Sequence, residues 1–267
     1  MTPRPRSIRA VCTLAIACGT SAWAQEGKLD AVRDRVDGKS DSAWDSDSDG
    51  DDVEGFFELL DFVFEVPFGL PCAWLGDGNF ARAGFLAYPN CGGAGYWLPA
   101  DAGADDKRWT IRPRVEWGTD FDDLERTGLG LELEHANRLG LDFTWNRWRE
   151  DLTAGTDELD LGDANFVVRF AQGPNAAFRA GLGLNYLADE RDTDLGFNLT
   201  YGADFVGRWL SAGLETDLGT LGSASLFHLR GTLGLLVSRF ELYAGFDWFD
   251  IEGVALDSYG FGLRGWF

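Results

Sequence analysis

Apolar and polar residues alternate along the C-terminal part of the chain, Arg108–Phe267. Trp109 and Ile111 share one parity, while Arg112 and Arg114 share the other. Because successive side chains of a strand point to opposite faces, this period of two predicts β-strands. The alternating segments are 109–117, 129–134, 139–146, 165–170, 178–186, 195–201, 210–214, 227–237, 240–248 and 259–267. We therefore predict an all-β domain of about ten strands, with eight and twelve as alternatives.

The connections between these segments alternate in length. Tight turns follow the even-numbered segments, around Ala136-Asn137, Gly173-Pro174-Asn175, Val206-Gly207 and Val237-Ser238. Mostly longer, acidic connections follow the odd-numbered ones, at Phe121–Thr127, Arg149–Gly162, Asp189–Thr193 and Asp250–Asp257. An even strand number with short turns at one end and longer loops at the other is typical of a transmembrane antiparallel up-and-down β-barrel.

Alternation alone does not decide whether the apolar face of the strands points outward or into the barrel. A soluble barrel of the lipocalin type has the same period with Leu and Phe inside. Glycines cluster on the polar parity, which suits a narrow interior that holds long charged side chains. Aromatic residues fall near strand ends on the apolar parity, where the two aromatic belts of a membrane barrel lie. These aromatic residues are Trp109, Trp117, Trp145, Tyr186, Tyr201, Trp248 and Tyr259. We therefore expect a polar lumen and a lipid-facing apolar wall.

Charged residues of the first two strands match across the expected lumen. If the first hairpin is centred near Asp123, Arg114 lies opposite Glu132 and Arg112 lies opposite Glu134. Two ion pairs are then predicted on the inner face, where they would neutralise charge in a region of low dielectric constant. Arg230 is a further cationic side chain of the lumen.

The last strand resembles the closing strand of Gram-negative outer-membrane barrel proteins. Tyr259, Phe261, Leu263 and Phe267 carry this resemblance, and Gly265 departs from the bulky residue that is usual near the end. The resemblance implies recognition by the barrel-assembly machinery, contact with outer-membrane lipids and a place in the bacterial cell outer membrane. It covers the last strand in detail and identifies a class of proteins, not a family.

The N-terminal residues 1–24 are typical of a secretory signal peptide. Three arginines precede the apolar run Val11–Cys18, and Ala22-Trp23-Ala24 supplies small residues at a cleavage site. This run is far shorter than the roughly 20 residues that span a bilayer as a helix. The alternative is a lipoprotein signal in which Cys18 carries the lipid.

Residues 25–107 separate the signal from the barrel. Residues 25–52 are polar and acidic, and we predict a flexible tail. Val53–Phe68 has acidic residues at helical spacing among aromatic ones, which predicts an amphipathic helix ended by Pro67. Together with the loop that follows it, we expect residues 53–107 to form a periplasmic cap or plug, and residues 108–267 to form the barrel.

Two cysteines remain once the signal is removed. Cys72 and Cys91 would then form a disulfide bond in an oxidising compartment, the alternative being two free buried thiols. The formal net charge of −21 makes nucleic acid an improbable partner. Divalent cations at the acidic loops fit this charge better.

The sequence contains few candidates for chemistry. Asp45, Asp47 and Asp49 resemble the opening of a calcium loop, but the twelfth position is Phe56 instead of the required glutamate. We expect no cofactor and no strong metal site.

His228 is the one inward-facing histidine, and a register centred on Leu221 places Glu215 opposite it. Asp217 and Asp247 could approach from the same side. We expect a narrow porin-like channel or a structural barrel without enzymatic activity. The alternative is an outer-membrane hydrolase that uses His228 with Glu215.

Overall fold

A computed structural model describes residues 27–38, 67–77, 82, 84–93, 95–98, 107–153, 155–189 and 192–267. Ten antiparallel strands form a closed barrel in which each strand pairs with its neighbours in sequence and β1 pairs with β10. The strands are β1 Trp109–Thr119, β2 Leu124–His135, β3 Leu139–Leu152, β4 Gly155–Gly173, β5 Ala176–Ala188, β6 Thr193–Val206, β7 Leu210–Leu221, β8 Ala224–Val237, β9 Phe240–Ile251 and β10 Val254–Gly265. The predicted antiparallel up-and-down barrel and its number of strands are confirmed.

The outer wall of the barrel is apolar and the middle of its interior is polar. β1 shows strict alternation between exposed and buried residues, with the charged residues on the buried parity. Leu141, Leu182 and Leu233 of the outer wall are 55%, 56% and 73% exposed. Charged side chains occupy the middle of the barrel, where Leu and Phe would lie in the lipocalin-like arrangement. The faces are therefore as predicted from the sequence.

Inward-facing glycines let long side chains lie flat across the lumen. A Cβ atom at Gly130 would stand 2.2 Å from Nε of Arg114, and one at Gly202 would stand 2.7 Å from Cζ of Arg179. Any larger residue at these positions would displace a guanidinium group. The glycines on the polar parity thus make room for the arginines.

The two ends of the barrel differ less in loop length than predicted. We call the end that holds the connections after even-numbered strands the turn end, and the opposite end the loop end. The predicted loop Arg149–Gly162 is instead a continuation of β3 and β4, which pair as far as Leu152 and Gly155. Charged residues extend the ladder because they pair across it, as Arg147 does with Asp160 at 2.8 Å. The prediction of long loops was wrong here.

A short helix, α1 (Lys28–Val36), lies in the mouth at the loop end, so the predicted flexible tail is ordered over 27–38. Leu29, Val32 and Val36 lie on one face of α1 and are buried. They pack into a ring of inward-facing apolar side chains, which we call the apolar collar. The collar consists of Leu124, Trp148, Leu159, Leu161, Leu187, Leu221, Ala224, Leu226, Phe249, Ile251 and Leu256.

Polar contacts hold α1 at its edges. The backbone amides of Lys28 and Leu29 donate to the carboxylate of Glu150 at 2.9 and 3.1 Å, which caps the helix N-terminus from the barrel. Arg33 donates to Asp157 at 2.6 Å. Burial alone would raise the pKa of Asp120, but its hydrogen bonds, among them one from the Lys28 ammonium, hold that pKa below its usual value. The pair is therefore ionised at neutral pH.

Residues 84–98, where described, cover the mouth at the turn end. Phe85, Tyr96 and Trp97 are buried in one apolar cluster with Trp266 from the end of the chain. The Tyr96 amide donates to Pro174 in the β4–β5 turn at 2.8 Å. Aromatic side chains of this segment, together with Trp266, therefore cover the mouth at the turn end.

Residues 67–75 are helical and pack on the outer wall of β4–β6. The ring of Phe68 lies 4.7 Å from that of Phe170. Pro67 does not end a helix as predicted, and Pro71 lies within the same helix. Because Pro71 has no N–H to offer to the carbonyl of Pro67, the Tyr201 hydroxyl donates to that oxygen at 2.8 Å. Residues 53–66 of the predicted amphipathic helix lie outside the described residues.

The predicted disulfide bond is not present, and Cys72 and Cys91 are free thiols. Cys72 belongs to the helix on the outer wall, where its thiol lies 3.6 Å from the carbonyl oxygen of Phe170. Cys91 is exposed in the segment that covers the turn end. The two residues belong to separately packed segments, which explains why the even cysteine count was misleading.

Candidate functional site: the polar lumen

Charged side chains fill the interior of the barrel. The arginines and carboxylates named below are each 8% exposed or less, so their network is shielded from bulk water. The cationic residues are Arg112, Arg114, Arg126, Arg169, Arg179, Arg230 and Arg264. The carboxylates are Glu116, Glu132, Glu134, Asp142, Asp204, Glu215, Asp217, Glu241 and Asp247. A buried charge is tolerated only when it is paired and hydrogen-bonded, so the contacts of these groups determine what the lumen can do.

The predicted ion pairs of the first hairpin form with a different register. Arg112 lies opposite Glu132 and forms a hydrogen bond with it, and its guanidinium lies 3.7 Å from Glu134. Arg114 lies opposite Gly130 instead of Glu132, and it donates to the hydroxyl of Thr144 at 2.8 Å. The pairing of Arg114 with Glu132 was wrong because the hairpin is centred on Asp122, one residue before the predicted centre.

Glu116 joins three strands in the middle of the lumen. Its carboxylate accepts hydrogen bonds from Arg126 at 3.0 Å, from Arg230 and from the hydroxyl of Tyr243. Arg126 also donates to Asp247 at 2.5 Å. Arg230 is buried in the lumen beside Glu116. Arg126 and Tyr243 were missed by the sequence analysis. Arg126 shares the parity of Glu132, so a longer second strand would have revealed it.

A second group of ion pairs lies nearer the turn end. Arg179 donates to Asp204 at 2.6 Å and to Glu215 at 2.5 Å, and Arg112 donates to Asp204 at 3.0 Å. Arg114 links the two groups, because its guanidinium lies 3.8 Å from both Glu116 and Glu215. The ion pairs therefore form one continuous network across the barrel.

The network continues into the mouth at the turn end. Arg169 donates to Glu134 at 2.6 Å and lies over the ring of Phe85, 4.8 Å from its centroid. Glu241 accepts a hydrogen bond from the indole of Trp266 at 2.9 Å. The charged interior and the aromatic cover are thus bonded to one another.

His228 lies between two carboxylates, but not the predicted one. Its Nδ1 is 2.7 Å from Asp217 and its Nε2 is 3.3 Å from Asp247. Glu215 lies opposite Arg230, because the β7–β8 turn is centred between Gly222 and Ser223 and not on Leu221. Gly222 adopts a φ of 56° there, which favours glycine.

The surroundings of His228 favour a structural role. Its ring stacks on Phe249 at 3.9 Å with an interplanar angle of 7°. In a hydrolytic triad one ring nitrogen must remain available to a nucleophile. Both nitrogens of His228 are within reach of carboxylates, and the apolar collar and α1 cover it from the loop end.

A small cavity lies beside the second group of ion pairs. It is bounded by Arg179, Glu215, Arg230 and Arg264 and measures about 10 Å³. A space of this size holds about one water molecule. Passage of a solute would require the guanidinium groups to leave their partners.

The other predicted site residues lie apart from the lumen. Tyr259, Phe261, Leu263 and Phe267 are exposed on the outer wall, at the strand pair that closes the barrel. Asp45, Asp47 and Asp49 lie outside the described residues. Within the described ranges, no group of three His, Cys, Asp or Glu residues has the geometry of a metal site.

The class of this protein has to be inferred from its fold, because comparison with known sequences gives no match. No protein-family model matches the chain, and no curated protein sequence matches it significantly. Neither of the helices that the structure describes is long and apolar enough to cross a membrane. The fold defines a closed ten-stranded antiparallel barrel with a charged interior and an apolar exterior.

Proposed function

We propose that this chain is an integral outer-membrane β-barrel with a structural role, without enzymatic activity and without an open pore in this conformation. The observation that carries the proposal is the inverted polarity of the barrel. Leucine and phenylalanine side chains cover the outer wall, while paired charges fill the interior. An apolar band around the outside of a closed barrel with a polar lumen is typical of a surface that contacts lipid.

The contacts inside the barrel support the closed, non-enzymatic form of this proposal. The Glu116 and Arg179 groups span the lumen, α1 covers one mouth, and residues 84–93 and 95–98 cover the other. At ten strands a barrel is much narrower than the 16 to 18 strands of an open porin. The rival function, a narrow porin-like channel, would need both covers and the ion pairs to move.

The two ends of the barrel carry opposite charge, which supports one orientation. Outside the lumen, the described charged side chains of the turn end are Arg82, Lys107, Arg108, Arg138, Arg208 and Arg239, with Asp77 as their acidic counterpart. Acidic side chains dominate the loop end, among them Asp122, Asp123, Asp151, Glu158, Asp192 and Asp250. We infer that the loop end faces the exterior, where divalent cations would balance its charge, and that the turn end faces the periplasm.

Conductance measurements test the closed lumen. We expect the purified protein to insert into planar bilayers without producing a unitary conductance, because the ion pairs leave space for about one water molecule. An open porin in the same bilayer serves as the control. A steady unitary conductance of the wild-type protein would establish the porin-like function instead.

Cysteine labelling tests the orientation. Arg35 is exposed on α1 at the loop end, and Cys91 is exposed at the turn end. In intact cells, a membrane-impermeant maleimide should label an Arg35→Cys variant, while the wild-type protein should react only after the outer membrane is permeabilised. Labelling of the wild-type protein in intact cells would show that the orientation is reversed.

A further inference from the structure

Cationic and aromatic side chains form a cluster at the turn end, just beyond the apolar wall. We call this cluster the basic rim and define it by Lys107, Arg208, Arg239, Tyr88 and Trp209. None of its three cations forms an ion pair with a described residue. Asp77, the acidic counterpart among the described residues of this end, is paired with Arg138 at 2.6 Å.

Contacts between loops bring the members of the basic rim together. The guanidinium of Arg239 lies over the ring of Tyr88, 5.4 Å from its centroid. The side-chain amide of Asn90 donates to the carbonyls of Gly207 and Arg208 at 2.9 and 3.3 Å, which fixes the Tyr88 loop beside the β6–β7 turn. The backbone amide of Phe85 donates to the carbonyl of Lys107 at 3.0 Å. The cluster is therefore built by four connected segments.

Lys107 has no acceptor among the residues that the structure describes. Its Nζ atom is buried and forms no hydrogen bond with any of them. Burial and the nearby charge of Arg239 lower the pKa of Lys107. Because an unpaired buried ammonium is costly, the group that would complete this arrangement is an anion held between Lys107 and Arg239.

The basic rim lies at the level where the apolar wall ends. Val237 and Phe240, on either side of the β8–β9 turn that holds Arg239, are 71% and 50% exposed on the wall. Trp209 is 66% exposed and lies under the guanidinium of Arg208, 5.7 Å from its centroid. Tryptophan beside arginine at the edge of an apolar band is typical of the headgroup layer.

We propose that Lys107, Arg208 and Arg239 bind the phosphate group of anionic phospholipids in the leaflet at the turn end, with Tyr88 and Trp209 packing beside the headgroup. This inference rests on the proposed membrane location. A lipid is the source of the phosphate because the cations adjoin the exposed wall, where acyl chains would cover Val237 and Phe240.

Lipid titration of the full-length protein in neutral detergent tests the proposal. The probes are short-chain phosphatidylglycerol, short-chain phosphatidylcholine and inorganic phosphate. We expect the wild-type protein to prefer phosphatidylglycerol. A Lys107→Gln/Arg239→Gln variant should bind it about 25-fold more weakly, since each cation near a membrane surface contributes a factor of about five.

Two further variants keep the result interpretable. Arg149→Gln removes an exposed cation at the loop end and should leave the affinity unchanged. Arg208→Gln should weaken phosphatidylglycerol binding about fivefold, and it serves as the test if the double variant does not fold. Heat-modifiable migration on a gel reports folding of each variant.

The remaining outcomes overturn the inference. Equal affinity for phosphatidylglycerol and phosphatidylcholine, or unchanged binding by the folded variants, would show that the basic rim has no headgroup site. Equally tight binding of inorganic phosphate would assign the site to a free anion. A wild-type protein that stays soluble without detergent would refute the membrane location itself, which is a separate failure.

Discussion

Replacing Glu116 with Ala is expected to lower the free energy of unfolding by about 3 kcal/mol, the lower end of the range for removing one partner of a buried ion pair. Glu116 is buried and accepts hydrogen bonds from Arg126, Arg230 and Tyr243. Without its carboxylate, two guanidinium groups lose their shared acceptor. Asp247 remains within 2.5 Å of Arg126 and 3.8 Å of Arg230, and this partial compensation limits the loss.

Glu125→Ala is the matched control for this substitution. Glu125 lies on β2 next to Arg126, but its side chain points outward and is exposed. We expect its free energy of unfolding to change by no more than about 0.5 kcal/mol, as for other surface substitutions. Urea unfolding of the detergent-solubilised protein, followed by the gel shift between folded and unfolded forms, measures both variants. If they are equally stable, the lumen network does not stabilise the barrel.

The strands and their faces could be predicted from the sequence because both depend on a local period. Leu131 and Leu133 alternate with Glu132, and this alternation alone assigns the leucines to the wall and the glutamate to the lumen. The assignment does not depend on which strand is the partner. Strand partners depend on the centre of each turn. Moving the first hairpin centre by one residue moves each partner by two, and this displaced the predicted contacts of Arg112 and Arg114.

The two covers of the barrel were harder to predict because long-range packing forms them. α1 has only nine residues. Leu29 and Val32 are buried because the apolar collar surrounds them. One signal was present in the sequence. The inward-facing positions of the strands change from polar in the middle to apolar near the loop end, at Trp148, Leu159 and Leu226. Such a change on the inner face indicates that the mouth is covered.

The pairing of His228 shows the same limit at the candidate site. Parity correctly directed its side chain into the lumen together with Asp217 and Asp247. Which carboxylate it meets depends on a two-residue turn at Gly222, whose left-handed backbone no apolar pattern reveals. The sequence therefore predicts the composition of the lumen network better than its individual pairs.

Leu233→Arg is expected to prevent assembly or to destabilise the barrel by about 2–4 kcal/mol, the cost of a charged side chain on the lipid face near the bilayer midplane. Leu233 is 73% exposed and lies near the middle of the apolar outer residues of β8, which run from Phe227 to Val237. It has no carboxylate directly opposite it, because its strand partners are Ala212 and Ala244. The new guanidinium would therefore remain in hydrocarbon without a counter-ion.

Val237→Arg on the same strand supplies the depth control. Val237 is similarly exposed, at 71%, but it ends β8 beside the turn that holds Arg239, where an added cation reaches the headgroup layer. Its expected cost is about 0–1 kcal/mol. Yield of the heat-modifiable folded form in lipid vesicles, and its urea midpoint, measure both variants. A large penalty at Leu233 with a small one at Val237 would locate the membrane along β8. Equal tolerance at both positions would mean that the apolar wall does not face lipid, and the membrane assignment would fail.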